Sequence, residues 1–116
     1  MKFLSGMLIL AAKFVGVWLL KLSVRFFAAL RELIGKKEES LEFSDHEEVT
    51  VEKGLKRLAE LYGKDFVEYV FDGKTGEIQS YLTPLVNGRS ITTLDGLKTK
   101  LMDGDVLAIL PPVGGG

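Results

Sequence analysis

Residues 103–116 read Asp-Gly-Asp-Val-Leu-Ala-Ile-Leu-Pro-Pro-Val-Gly-Gly-Gly, DGDVLAILPPVGGG. The stretch has three parts of different physical character. Asp103-Gly104-Asp105 is a turn, and Val106 to Leu110 form an apolar last strand. Pro111 and Pro112 then hold φ near −65°, which favours an extended exit from that strand. Gly114, Gly115 and Gly116 lack a Cβ and reach conformations closed to other residues. Chain ends are mobile by default and tolerate almost any polar sequence, so a terminus that merely frays needs no such design.

The strand needs a sheet, and the rest of the chain supplies one. KLSVRFFA, residues 21–28, alternates Leu22, Val24 and Phe26 with Ser23, Arg25 and Phe27, the period of a half-buried strand with Phe27 on the outward side. ALRELIG reads as a short helical turn closed by Gly35, and KKEESLEFS as a second strand with Leu41 and Phe43 inward, paired to the first. The clearest helix follows. Thr50 is its N-cap, Glu52 suits the positive first turn, and Val51, Leu55, Leu58, Ala59 and Tyr62 recur at spacings of three and four. Gly63 stops it, while Gly54 inside it costs about 1 kcal/mol relative to alanine. KDFVEYVFDGKTGEIQSYL is ambiguous, with room for a helical turn through Phe66, Tyr69 and Val70 and then a polar loop; TPLVNGRSI is a strand, an Asn87-Gly88 turn and a short return.

One long helix between two strand pairs has a simple solution, a mixed sheet with the helix across its apolar face. These elements predict an α+β, β-grasp roll, its last strand central beside its first. The domain spans residues 20–110, with an apolar extension at 1–19 and a flexible tail at 111–116.

Composition narrows the function. In 116 residues there is room for one domain, and 47% apolar residues supply a core. Basic and acidic residues nearly balance, 15 against 16, so no concentrated basic face marks a nucleic-acid binder. Beyond residue 20 the balance is mildly acidic, and Asp103 and Asp105 have two equal readings, charges that steer the body toward a basic partner or residues of a solvated turn. The absence of cysteine excludes disulfides, a thiolate nucleophile and Cys-ligated zinc. His46, among acids in SDHEEVT, reads as a solvated loop residue with no triad or metal partner in view. The first twenty residues, MKFLSGMLILAAKFVGVWLL, stand open to three readings: an extension outside the domain, a membrane-contacting segment, or a signal peptide. Lys13 counts against both the second and third, since a lysine mid-span costs about 2.5–3.5 kcal/mol and also interrupts a signal core.

FFAALRELIG, LVNGRSI and DGDVLAILPPVGGG, in that order, resemble the MoaD/ThiS family of ubiquitin-like sulfur carriers, closest to the small subunit of molybdopterin synthase. The similarity runs from about Leu20 to Gly116, and departs at Gly114, where the family commonly has serine or threonine. It implies a cytoplasmic carrier that binds no cofactor itself. An E1-like adenylating enzyme would use ATP and magnesium to activate the Gly116 carboxylate, and a sulfur donor would convert the adenylate to a thiocarboxylate. The large subunit of molybdopterin synthase would then build the dithiolene of the molybdenum or tungsten cofactor with that sulfur. Catalytic groups would reside on the partners, which fits a chain without a phosphate-cradling loop and Walker lysine.

In that cycle Pro111, Pro112, Val113, Gly114 and Gly115 thread a partner's channel, Val113 as apolar anchor at its mouth. Phe27 and Leu110, adjacent if first and last strands pair, form an interface patch. Three other functions share the sequence: a ubiquitin-like modifier joined through Gly116 to target lysines, a sulfur carrier for thiamine or tRNA thiolation, and a binding module without an activated terminus.

Overall fold

The computed structural model of the chain describes residues 19–44 and 46–111. The expected roles of residues 1–18 and of Pro112, Val113, Gly114, Gly115 and Gly116 lie outside these described residues. Strand β1 (Leu19–Phe26) buries Leu22, Val24 and Phe26 completely, as its alternation demands. It ends two residues earlier than its pattern suggests. Phe27 becomes the N-cap of helix α1 (Ala28–Ile34), and Ala28 bends the chain with φ of 49°. Gly35 closes that helix in the left-handed region, φ 81°, its N–H donating to the Arg31 carbonyl at 2.8 Å.

Strand β2 (Glu38–Ser44) runs back antiparallel to β1, with Leu22 opposite Leu41 and Leu20 opposite Phe43. Helix α2 (Val51–Tyr62) follows. The Thr50 hydroxyl accepts from the Lys53 N–H at 3.2 Å, and Val51, Leu55 and Leu58 are wholly buried against the sheet. The segment that sequence left ambiguous resolves into helix α3 (Lys64–Val70), which buries Phe66 and Val70, and a loop around Asp72. That Asp72 carboxylate accepts from Lys74 N–H at 2.7 Å and Thr75 N–H at 3.3 Å.

Strands β3 (Thr83–Val86) and β4 (Arg89–Ser90) form a hairpin through Asn87 and Gly88, whose φ values of 50° and 83° are those of a tight turn. Two short 3-10 turns, Ile91–Thr93 and Gly96–Lys98, lead toward strand β5 (Val106–Leu110). The sheet order is β2-β1-β5-β3-β4, with β5 parallel to β1 and antiparallel to β3. This is the expected β-grasp roll, with the helices on one face of a mixed five-stranded sheet. Residues 99–101 tie down the start of α2, since Val51 N–H donates to Thr99 O (3.0 Å) and Leu101 N–H to Val49 O (2.8 Å).

Helix α2 also braces β2 through polar contacts. The Tyr62 hydroxyl lies 2.6 Å from a Glu39 carboxylate oxygen, Lys53 pairs with Glu47 at 2.7 Å, and the Arg57 guanidinium sits 4.2 Å from the Phe43 ring centroid. The hydrogen bond from Tyr62 holds Glu39 below the usual carboxylate range, and the one from Lys53 does the same for Glu47. Burial, with the carboxylate of Glu39 close by, pushes the Tyr62 phenol up.

Two predictions follow from this packing. A Cβ at Gly54 would meet Leu107 Cδ2 at 3.6 Å and Leu101 Cδ1 at 3.9 Å, ordinary contact distances. Gly54→Ala therefore gains helix propensity without a clash, and should raise stability by about 0.5–1 kcal/mol and the melting temperature by a few degrees in thermal circular dichroism. For acid, the sign is set by carboxylates whose pKa falls on folding. Their contribution is present above the ordinary value of 4.5 and lost as pH drops below it. Melting curves from pH 7 to pH 3 should fall less steeply for the Glu39→Gln/Glu47→Gln double variant than for the parent chain.

Candidate functional site: the exit of the last strand

The last strand ends in the middle of the sheet. Leu110, the last residue of β5, is half-buried opposite Thr83, and Pro111 follows it directly, also half-buried. On the other side of β5 the parallel register ends at Phe26 opposite Ile109. One step further along both strands come Phe27 and Leu110, so the two residues singled out from sequence stand at the same end of neighbouring strands. Phe27 lies one residue past the end of β1 with its backbone still extended, and lines the same cleft as the exposed Arg25. It is half-buried at the turn into α1, its ring centroid 6.0 Å from the Arg31 guanidinium.

Around this corner lies a cleft of about 200 Å3 lined by Arg25, Phe27, Arg31, Lys37 and Glu38. Arg31 is fixed there, its Nε donating to the Phe26 carbonyl at 3.3 Å. Three cations against one carboxylate give the exit a local positive character within a mildly acidic body. Sequence reasoning missed this, because Arg31 and Lys37 join Arg25 only after α1 folds back over the strand end. A larger apolar concavity of about 450 Å3, with Leu19, Leu20, Val49, Leu101 and Met102 in its walls, lies by the opposite end of β1.

The aspartates expected to steer a partner are elsewhere and already occupied. Asp103 and Asp105 precede β5, at the end away from the tail. An Asp103 carboxylate oxygen accepts from Lys21 N–H at 2.8 Å. Asp105 accepts from Asn87 Nδ2 and from Met102 N–H, both at 2.8 Å, and Asn87 Oδ1 accepts from Val106 N–H at 2.9 Å. These side chains hold the turn read from the sequence at Asp103-Gly104-Asp105 and lock it to the Asn87-Gly88 turn. His46 is exposed in the β2–α2 connection, its N–H donating to the Ser44 hydroxyl at 3.3 Å. Among the described residues no three His, Asp or Glu side chains gather as metal ligands, and no helix is long and apolar enough to cross a membrane.

With the fold and the strand exit in view, the comparison with known proteins is direct. The family model described as the ThiS family matches residues 24–116, most of the sheet and the whole tail. The chain belongs to the ThiS family. It is thus a member of the ubiquitin-like sulfur carriers and modifiers. Small archaeal modifier protein 3 of Haloferax volcanii is 36% identical over 97 residues, 84% of this chain and 100% of the relative. A protein of Archaeoglobus fulgidus provisionally described as a sulfur carrier is 33% identical over 72 residues, 62% of this chain and 80% of its own length. A solved structure from Pyrococcus furiosus, provisionally described as molybdopterin converting factor subunit 1, superposes with a TM-score of 0.62 at 28% identity. That match covers 81% of this chain and 99% of the other.

The two adjacent phenylalanines separate packing from surface. Phe26 is fully buried and Phe27 half-buried at the exit. Phe26→Ala should cost about 3–5 kcal/mol in chemical denaturation, and Phe27→Ala no more than about 1–2 kcal/mol, because less apolar surface leaves water at that site.

Proposed function

We propose that the chain is a sulfur carrier activated at the Gly116 carboxylate, and that it serves as the small subunit of a molybdopterin synthase. The observation that carries this reading is that β5, the strand whose last residue Leu110 directly precedes PPVGGG in sequence, ends in the centre of the sheet between β1 and β3, beside a cationic, aromatic corner. A rigid sheet thereby presents a segment without side-chain bulk to another protein's active site. Family membership, the carrier relative at 33% identity and the similarity to molybdopterin converting factor subunit 1 support the same reading.

The chemistry needs nothing catalytic from this chain. A Gly116 carboxylate oxygen attacks the α-phosphorus of ATP on an E1-like partner, pyrophosphate leaves, and an acyl-adenylate results. Magnesium on that partner offsets the phosphate charge. Sulfide from the donor, as HS−, then attacks the carbonyl carbon, AMP leaves and the sulfur-bound proton passes to solvent, giving the thiocarboxylate. When a large synthase subunit passes the sulfur on to the pterin precursor, water restores the carboxylate. Pro111 and Pro112 limit the conformations lost on threading, while the three glycines fit a channel where a Cβ would collide. The half-buried Phe27 and Leu110, with Val113 ahead of them, supply apolar contact beside the channel, and Arg25, Arg31 and Lys37 favour a partner with acidic groups at its mouth.

A second reading is favoured by a specific finding, the 36% identity to a small archaeal modifier protein over that relative's whole length. In it the same adenylate passes Gly116 to a lysine of a target protein as an isopeptide bond. Intact mass spectrometry decides between them after incubation with the organism's E1-like enzyme, ATP and a sulfide source. The carrier gains about 16 Da by exchange of one oxygen for sulfur, and deletion of Gly115 and Gly116 abolishes the gain. Conjugates without any such species would establish the modifier role instead.

A further inference from the structure

Among the described residues strand β2 is an edge of the sheet, with β1 on one of its sides. An uncovered edge is a template for strand addition unless something blunts it. Phe26 N–H donates to the Lys37 carbonyl at 2.9 Å, which sets the phase of the β1–β2 ladder. Residues 39, 41 and 43 therefore direct their backbone groups toward β1, and residues 38, 40, 42 and 44 toward the open side.

Three of those outward groups are capped by side chains. Ser40 N–H donates to Glu39 Oε2 at 3.1 Å, Ser44 N–H donates to Glu47 Oε2 at 3.0 Å, and the Glu42 carbonyl accepts from Arg57 at 3.1 Å. Each capping group is anchored from helix α2. The other oxygen of Glu39 is held by Tyr62 and Lys36, the other oxygen of Glu47 by Lys53, and Arg57 belongs to the helix and stacks on Phe43. The opposite edge is blunted by other means. There β4 is two residues long, and Pro84 of β3 has no N–H to offer.

The sequence of β2 shows what the caps hold off. Laid antiparallel against itself about Leu41, EESLEFS sets Leu41 opposite Leu41, Ser40 opposite Glu42, Glu38 opposite Ser44 and Glu39 opposite Phe43. No two carboxylates face each other directly, and the outward-directed residues meet outward-directed residues, so the ladder would close. The resulting pair is two-fold symmetric and self-limiting. We propose that Glu39, Glu47 and Arg57 are edge guards, anchored by helix α2, and that they keep β2 from pairing with β2 of a second copy of this chain.

The test is the mass of the full chain in solution, by light scattering and sedimentation velocity from 10 µM to about 1 mM, the range in which transient self-association of exposed edges appears. Glu39→Ala/Glu47→Ala should roughly double the mass, while Glu38→Ala/Glu42→Ala, with the same change of charge and both substitutions on β2, should leave it at that of the parent monomer. A guard variant that stays monomeric and folded overturns the proposal, as does a control that dimerises equally. Amide exchange in the parent chain gives a second reading that holds even if the guard variant does not fold. Ser40 and Ser44 N–H should exchange about tenfold more slowly than Glu42 N–H, whose outward amide has no such cap among the described residues, and equal rates would overturn the proposal.

Discussion

The parallel pairing of the first strand with the last is the constraint on which the rest of this structure depends. Ser23 stands opposite Val106 and Phe26 opposite Ile109, and Lys21 reaches Asp103 across 82 positions of sequence. Two parallel neighbours need a crossover, and here nearly the whole domain is that crossover. Closing so long a loop costs conformational entropy before any contact returns it, so the pairing must be backed by burial on one face and by turns that hold the register. Leu22, Val24, Phe26, Leu107 and Ile109 provide the first, all of them buried beneath the helices. The Asp105–Asn87 bridge provides the second, since it ties the turn before β5 to the turn after β3.

That pairing also determines where function can occur. Because β5 is central, its C-terminal end emerges between β1 and β3, where the chain has just turned from β1 into α1. Cations from three separate stretches, Arg25, Arg31 and Lys37, gather at the exit, whereas the aspartates before β5 are consumed in turn chemistry at the far end. The domain is therefore polarised along one strand, with its structural carboxylates at one end and the cationic corner beside Leu110 at the other. Helix α2 contributes along a different axis. Its apolar stripe covers the sheet, and Lys53, Arg57 and Tyr62 on its flank hold the β2 edge.

Much of this was legible in the chain because local chemistry and global fold agree. The alternation of Leu22, Val24 and Phe26, the Thr50 cap, the Gly35 and Gly63 stops and the Asn87-Gly88 turn all appear where their physical preferences put them. What stays illegible depends on contacts remote in sequence. The period of two continues on paper through Phe27 and Ala28, while the strand ends at Phe26 and Ala28 turns the chain with φ of 49°. Residues 64–70 have a helical pattern too short to prove itself, and become a helix because Phe66 and Val70 find the same core as Leu58. The turn at Asp103 and Asp105 is legible, but the donors that their carboxylates accept from, Lys21 N–H and Asn87 Nδ2, are remote in sequence.

By itself, then, the sequence determined the elements, their order, the β-grasp class and the chemical character of the tail, since each depends on periodicity, capping or backbone freedom within a few residues. Only the tertiary structure decided which charges are working parts of turns, which cluster at the strand exit and which bracket the β2 edge. Those are distance relations between remote residues, created when β5 enters between β1 and β3, and no local pattern encodes them.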